Sequence, residues 1–144
     1  MAWLTQRDPW APGREQPTPI LLIEPDPGTG ARVQAALHRT WGDRVWVWRE
    51  GNVTDALHLM RICGFRVIIY RHHGSAALLQ EQLMLLRERA PDSPIVVSLQ
   101  HDAPDVPRPG LAAAVVSHHD PAGLERAVAR VLGWSPPADD SRPG

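Results

Sequence analysis

Ile20-Leu21-Leu22-Ile23-Glu24-Pro25-Asp26-Pro27 is the stretch on which the fold turns. Four apolar residues in unbroken succession suit a strand covered on both faces, as in a parallel sheet between two helix layers. Prolines and Gly28 then break the run. Downstream, Val33, Leu37 and Trp41 recur at helical spacing, with Ala36 and Thr40 beside them. Residues 45–48 form a second short strand. Asn52 can cap a helix carrying Val53, Ala56, Leu57 and Met60 on one face. Residues 67–70 are a third strand, rich in β-branched side chains. Ser75 opens a helix to about Arg89 that turns Leu79, Leu83 and Leu86 inward. Residues 94–99 and 112–116 are the fourth and fifth strands. Asp120 caps the last helix, Pro121 takes its first position, Leu124, Ala127, Val128, Val131 and Leu132 form its stripe, and Gly133 ends it.

Strands alternating with helices imply an α/β fold, and right-handed crossovers make it a doubly wound, five-stranded parallel sheet. One connection differs. His101-Asp102-Ala103-Pro104-Asp105-Val106-Pro107-Arg108-Pro109-Gly110 carries prolines that leave no room for a full helix. The fourth helix is therefore expected to be short or missing. Residues 1–18, with Trp3 and Trp10 among prolines, read as an N-terminal arm, 19–133 as the domain, and 134–144 as a disordered tail.

Composition narrows the function. The 144 residues suit one domain. A formal net charge of −1 gives no general attraction to nucleic acid or an anionic membrane. Cys63 is the single cysteine, so neither an internal disulfide nor a cysteine-based zinc site can form. The apolar runs are strand-sized, far below the roughly 18 residues of a membrane span. A cytoplasmic, reducing compartment is the expectation. All 15 basic residues are arginine; the chain has no lysine.

The order and spacing of these elements resemble the receiver domain of bacterial response regulators, over residues 18 to 133. The stretch from Ile20 to Pro27 is similar to that family's first strand and acidic turn. Val67-Ile68-Ile69-Tyr70 resembles its third strand, Ser93-Pro94-Ile95-Val96-Val97 the start of its fourth, and His119-Asp120-Pro121 with Leu124 the start of its last helix. The resemblance implies strand order 2-1-3-4-5. It also implies a reactive centre: an acidic pair holding Mg²⁺, an aspartate nucleophile ending the third strand, a hydroxyl after the fourth and a lysine after the fifth. Metal and lysine compensate the charge on the phosphoryl oxygens.

This sequence departs from that pattern. Glu24 and Asp26 remain, with Pro25 between them. Tyr70 stands at the nucleophile position with Arg71 next, and a phenol cannot form an acyl phosphate. Leu99 falls at the hydroxyl position, one residue from Ser98, and Ser117 falls at the lysine position. The resemblance therefore implies a degenerate pseudo-receiver: not an enzyme, phosphorylation-independent, and acting through a protein partner in bacterial signalling or regulation. That partner could be a regulatory or scaffold protein, and a homodimer is compatible with the sequence.

Other features compete for attention. His72, His73, His101, His118 and His119 follow strand ends, where ligands usually meet such a sheet. With Glu24 and Asp26 they could hold a divalent metal, so a metal or small-molecule sensor is the alternative reading. Their plain reading is as solvated loop residues. Arg71 could place a fixed positive charge against Glu24 or Asp26, or point to solvent. Trp46 and Trp48 share one face of an expected edge strand, with Trp41 nearby. Together with Val106 and Arg108 they are candidates for a partner surface, although the arm could instead cover the tryptophans. Gly28-Thr29-Gly30 lacks the third glycine of a dinucleotide loop, and the Gly-x-Ser-x-Gly elbow around Ser75 is absent.

Overall fold

The computed structural model describes residues 16–100 and 110–135. Strand β1 (Thr18–Ile23) leads to helix α1 (Pro27–Trp41) and, through a 3-10 turn at Gly42–Arg44, to β2 (Val45–Glu50). Helix α2 (Val53–Leu59), β3 (Val67–His72), α3 (Ala76–Arg89), β4 (Ile95–Leu99), β5 (Ala114–Ser117) and α4 (Pro121–Leu132) follow. Every strand pairing is parallel, and the order is β2-β1-β3-β4-β5. This is the doubly wound sheet that the alternating periods predict.

Period-two alternation explains the unbroken apolar runs. Ile20, Leu22, Val67, Ile69 and Val96 face one layer, where they meet Leu37 and Trp41 of α1 and Leu124 and Val128 of α4. Leu21, Ile23, Ile68, Ile95 and Val97 face the other, against Val53 and Ala56 of α2 and Leu79, Leu83 and Leu86 of α3. Each fully buried aliphatic side chain stabilises the fold by about 2 kcal/mol relative to exposure. The edge strand β2 is covered on one face only: Val45 and Val47 are buried while Trp46 and Trp48 are exposed.

The expected caps form. Asn52 accepts from the Asp55 amide, Ser75 from the Leu78 amide and Asp120 from the Gly123 amide. Gly133 ends α4 at φ 72°, in the left-handed region glycine tolerates. Among the described residues no helix lies between β4 and β5; residues 101–109 of that connection, including His101, Val106 and Arg108, lie outside them.

Three readings are corrected. Strand β3 runs two residues past its apolar stretch, so Arg71 and His72 are buried strand residues rather than loop. Polar identity hid them; partners inside the fold, described below, permit their burial. Trp134, assigned to the tail, stacks edge-on against Trp41 with ring centroids 5.7 Å apart, and the Arg44 guanidinium lies 4.1 Å from the Trp134 ring. Trp41 is accordingly a core residue, 7% exposed, and not part of an outer surface.

Candidate functional site

Among the described residues, the buried polar or charged side chains are Glu24, Arg71, His72 and Ser98. All four lie at the carboxyl end of the sheet, just past β1 or in β3 and β4. Their burial requires compensation, because an unpaired charge or hydrogen-bonding group in the interior costs several kcal/mol, on the order of 2–7 for a neutral polar group. Among the described residues no buried side-chain nitrogen or oxygen lacks a partner.

Glu24 anchors the network. Its amide continues the ladder to the Glu50 carbonyl at 3.0 Å, and its carbonyl accepts from Arg49 Nη1 at 2.7 Å. The Arg49 side chain lies over Gly30 of α1, where a Cβ would collide with it. The Glu24 carboxylate is fully buried. Arg71 Nε approaches Oε1 at 3.3 Å and His73 Nε2 donates to Oε2 at 2.8 Å. Arg71 Nη1 also donates to Ser98 Oγ at 3.4 Å. Cross-strand register makes this geometry: Arg71 is the β4-facing partner of Ser98, and Tyr70 of Val97.

The histidines are fixed by their neighbours. His118 Nε2 lies 3.0 Å from the His72 carbonyl, which can only accept, so Nε2 carries the proton and Nδ1 accepts the Ser98 hydroxyl. Burial, then the charges of Arg71 and His73, push the His118 pKa down to about 4 against an ordinary 6.5. His118 is thus neutral at neutral pH, and its ring lies 4.8 Å from that of His73. His72 repeats the pattern: Nε2 donates to the Ser75 carbonyl at 2.8 Å, and Nδ1 accepts from the Tyr70 hydroxyl at 2.9 Å. Burial pushes the Tyr70 phenol up to about 12, so it remains a donor.

The predicted pocket therefore assembles in part. Glu24, Arg71 and Ser98 come together, and His73 and His118 join them. Tyr70 does not: it faces the opposite core layer with Leu79 and Val97. Arg71 is the β3 side chain that meets Glu24. Asp26 does not join either. It is exposed and caps α1, accepting from the Thr29 amide at 2.8 Å and the Thr29 hydroxyl at 2.6 Å. The Thr29 hydroxyl, then the Thr29 amide, hold its carboxyl below the usual range. Ser117 Oγ accepts from the His119 amide at 3.1 Å and stays outside the network.

The Mg²⁺ of receiver chemistry does not fit these residues. Glu24 is committed to two cationic or donor partners, Asp26 to a helix cap, and Arg71 puts a cation where a third carboxylate would be needed. A histidine metal centre fails too: among the described residues no three His, Cys, Asp or Glu side chains are grouped to hold an ion. His72 and His118 have both ring nitrogens occupied. Ser98 has a base beside it, but at 1% exposure it is out of a substrate's reach. What the arrangement does chemically is neutralise a buried carboxylate and tie β1, β3, β4 and the β5 turn together.

No family model matches the chain, and no curated protein matches it. Solved structures do. The signal receiver domain of an HD domain-containing protein from Pseudomonas fluorescens Pf-5 superposes with a TM-score of 0.68 at 16% identity, covering 82% of this chain and 96% of that one. A response regulator from Thermotoga maritima gives 0.67 at 17%, over 81% and 98%. A pilus assembly-related protein from Burkholderia pseudomallei K96243 gives 0.68 at 13%, over 84% and 94%. The chain has the fold of receiver domains, and no helix among the described residues is long and apolar enough to cross a membrane.

Proposed function

We propose that this receiver-fold chain is a phosphorylation-independent adaptor: a signalling scaffold that meets a protein partner without phosphoryl transfer. One observation carries the reading. The buried carboxylate of Glu24 is already neutralised by Arg71 and hydrogen-bonded by His73, and the residue that meets it from β3 is a cation instead of a carboxylate. A receiver switches when a phosphoryl group and metal change the charge at this spot; here the charge is built in. The absence of lysine removes the remaining phosphoryl-sensing group.

The partner surface is placed on residues 100–111 with α4, and on the β2 edge. On that edge Trp46 and Trp48 are 36% and 39% exposed and lie edge to face at 5.7 Å. Aromatics of this kind anchor protein interfaces. The near-neutral charge argues against nucleic acid and membrane partners. The pilus-assembly name of the Burkholderia neighbour is compatible with a scaffold role. A bacterial, cytoplasmic setting belongs to the same proposal.

Incubation with acetyl phosphate and Mg²⁺, read by intact mass, tests the negative half: no adduct is expected, and a stable phosphorylated species would overturn it. Affinity capture from the native cell with wild-type and Trp46→Ser/Trp48→Ser protein tests the positive half. A partner lost in the variant supports the β2 surface.

A further inference from the structure

A cavity of about 550 Å³ opens beside the Glu24 network, between α1 and the start of α4. Small-molecule sites occupy roughly 300–1,000 Å³. Its apolar lining is Val33, Ala36 and Leu37 from α1 with Pro121 and Leu124 from α4. Arg32 and Arg39 line it from α1, and Arg71 and three imidazoles, those of His73, His118 and His119, from the sheet edge.

Two acids lie on its rim. Asp120 holds the Gly123 amide at 2.9 Å and lies 3.7 Å from Arg126. Glu125 accepts the Thr40 hydroxyl at 2.8 Å. The charge of Arg71 is met by Glu24. Of the cations of α1, Arg39 makes no hydrogen bond or ion pair among the described residues, while Arg32 donates to the Thr29 hydroxyl at 3.1 Å beside the Asp26 carboxylate, on which its charge acts. Two helical turns apart, the two arginines share a face, and their long side chains can converge on one headgroup. Arginines outnumber carboxylates on the lining, Arg32, Arg39 and Arg71 against Asp120 and Glu125, beside an apolar wall.

We propose that this cavity binds a small organic anion, its headgroup taken by Arg32 and Arg39 and its apolar body laid against Val33, Ala36 and Leu124. Charge-assisted hydrogen bonds from guanidinium forks hold carboxylates and phosphates alike. Arg71, His73 and His118 belong both to this cavity and to the Glu24 network. A seated anion therefore touches residues of the network that compensates Glu24. The inference goes beyond the adaptor reading and stands without it.

The test is an amide NMR titration of the full chain with four probes: anilinonaphthalene sulfonate, AMP, octanoate and inorganic phosphate. Saturable shifts centred on residues 29–39, 71–73, 100 and 117–125 are expected with at least one organic anion, and weaker binding of phosphate alone. AMP against octanoate tells phosphate from carboxylate preference. Arg32→Gln/Arg39→Gln, at exposed positions, is expected to weaken the bound probe about tenfold or more. Glu125→Gln, which keeps the Thr40 contact and removes a rim acid, is expected to tighten it. Absence of saturable shifts with every organic anion would overturn the proposal. So would affinity unchanged in the double variant, or phosphate binding as tightly as the organic probes. None of these readouts involves a protein partner, so they separate failure of the cavity from failure of the adaptor reading.

Discussion

At the scale of single residues, one ion pair decides the chemistry. Glu24 is fully buried, and Arg71 and His73 are what make that tolerable. Removing one member of a buried pair leaves the other uncompensated. Arg71→Ala is therefore expected to lower the unfolding free energy by about 3 kcal/mol in urea titration. Arg71→Met combined with Glu24→Gln should lose clearly less, because no buried charge is then left behind. His118 supplies a pH signature. Its pKa falls from 6.5 to about 4 on folding, so between those values the unfolded chain binds the extra proton and the native one does not. Stability from this group is complete above about pH 6.5 and is lost as pH falls through 4. Melting temperature should drop on acidification from pH 7 to pH 5, and His118→Asn should flatten that part of the profile.

At the scale of elements, helix starts were legible and strand ends were not. Asn52, Ser75, Asp120 and Pro121 sit where capping chemistry wants them, and each helix begins there. Asp26 carries the same signal, followed by Pro27 at the first helical position, yet its acidic neighbour drew it toward a metal-binding role. Its capping function makes a sharp prediction. Asp26→Ala should destabilise by about 1 kcal/mol, and Asp26→Asn by only a few tenths, since asparagine caps about as well. A charge-dependent role would make the two alike. Thermal or urea unfolding of both variants reads the difference. The end of β3 was hidden for another reason. Arg71 and His72 follow the apolar run as polar residues; Glu24 and Ser98, remote in sequence, let Arg71 be buried, and the nearby Tyr70 hydroxyl and Ser75 carbonyl do so for His72.

For the molecule as a whole, the sheet order and both helix layers follow from the alternation of periods, but the limits of the folded unit do not. Thr18 already pairs with Val45, and Trp134 rests on Trp41 under the Arg44 guanidinium. A chain ending at Gly133 is expected to be less stable by about 2 kcal/mol than one ending at Ser135, from the lost ring pair and cation–π contact. Comparing the two truncations by chemical denaturation checks this. The edge pair Trp46 and Trp48 bears on binding: replacing these partly exposed side chains by serine is expected to cost much partner affinity, read by affinity capture.

By itself the sequence determined what needs only local pattern: five strands and their helices, the caps, and a scaffold without lysine. The sequence offered Arg71 as a partner for Glu24 or Asp26 and put Tyr70 in the same pocket; tertiary structure decided that Arg71 meets Glu24 and Tyr70 does not. Tyr70 and Arg71 are adjacent, and in a strand adjacent side chains leave on opposite faces. One step of cross-strand register separates a tyrosine from an arginine at the site, and register is set by the summed burial of both faces rather than by the residues at the site. The cavity depends on the same kind of fact, since α1 and α4 are remote in sequence and share it only because both cover one face of the sheet.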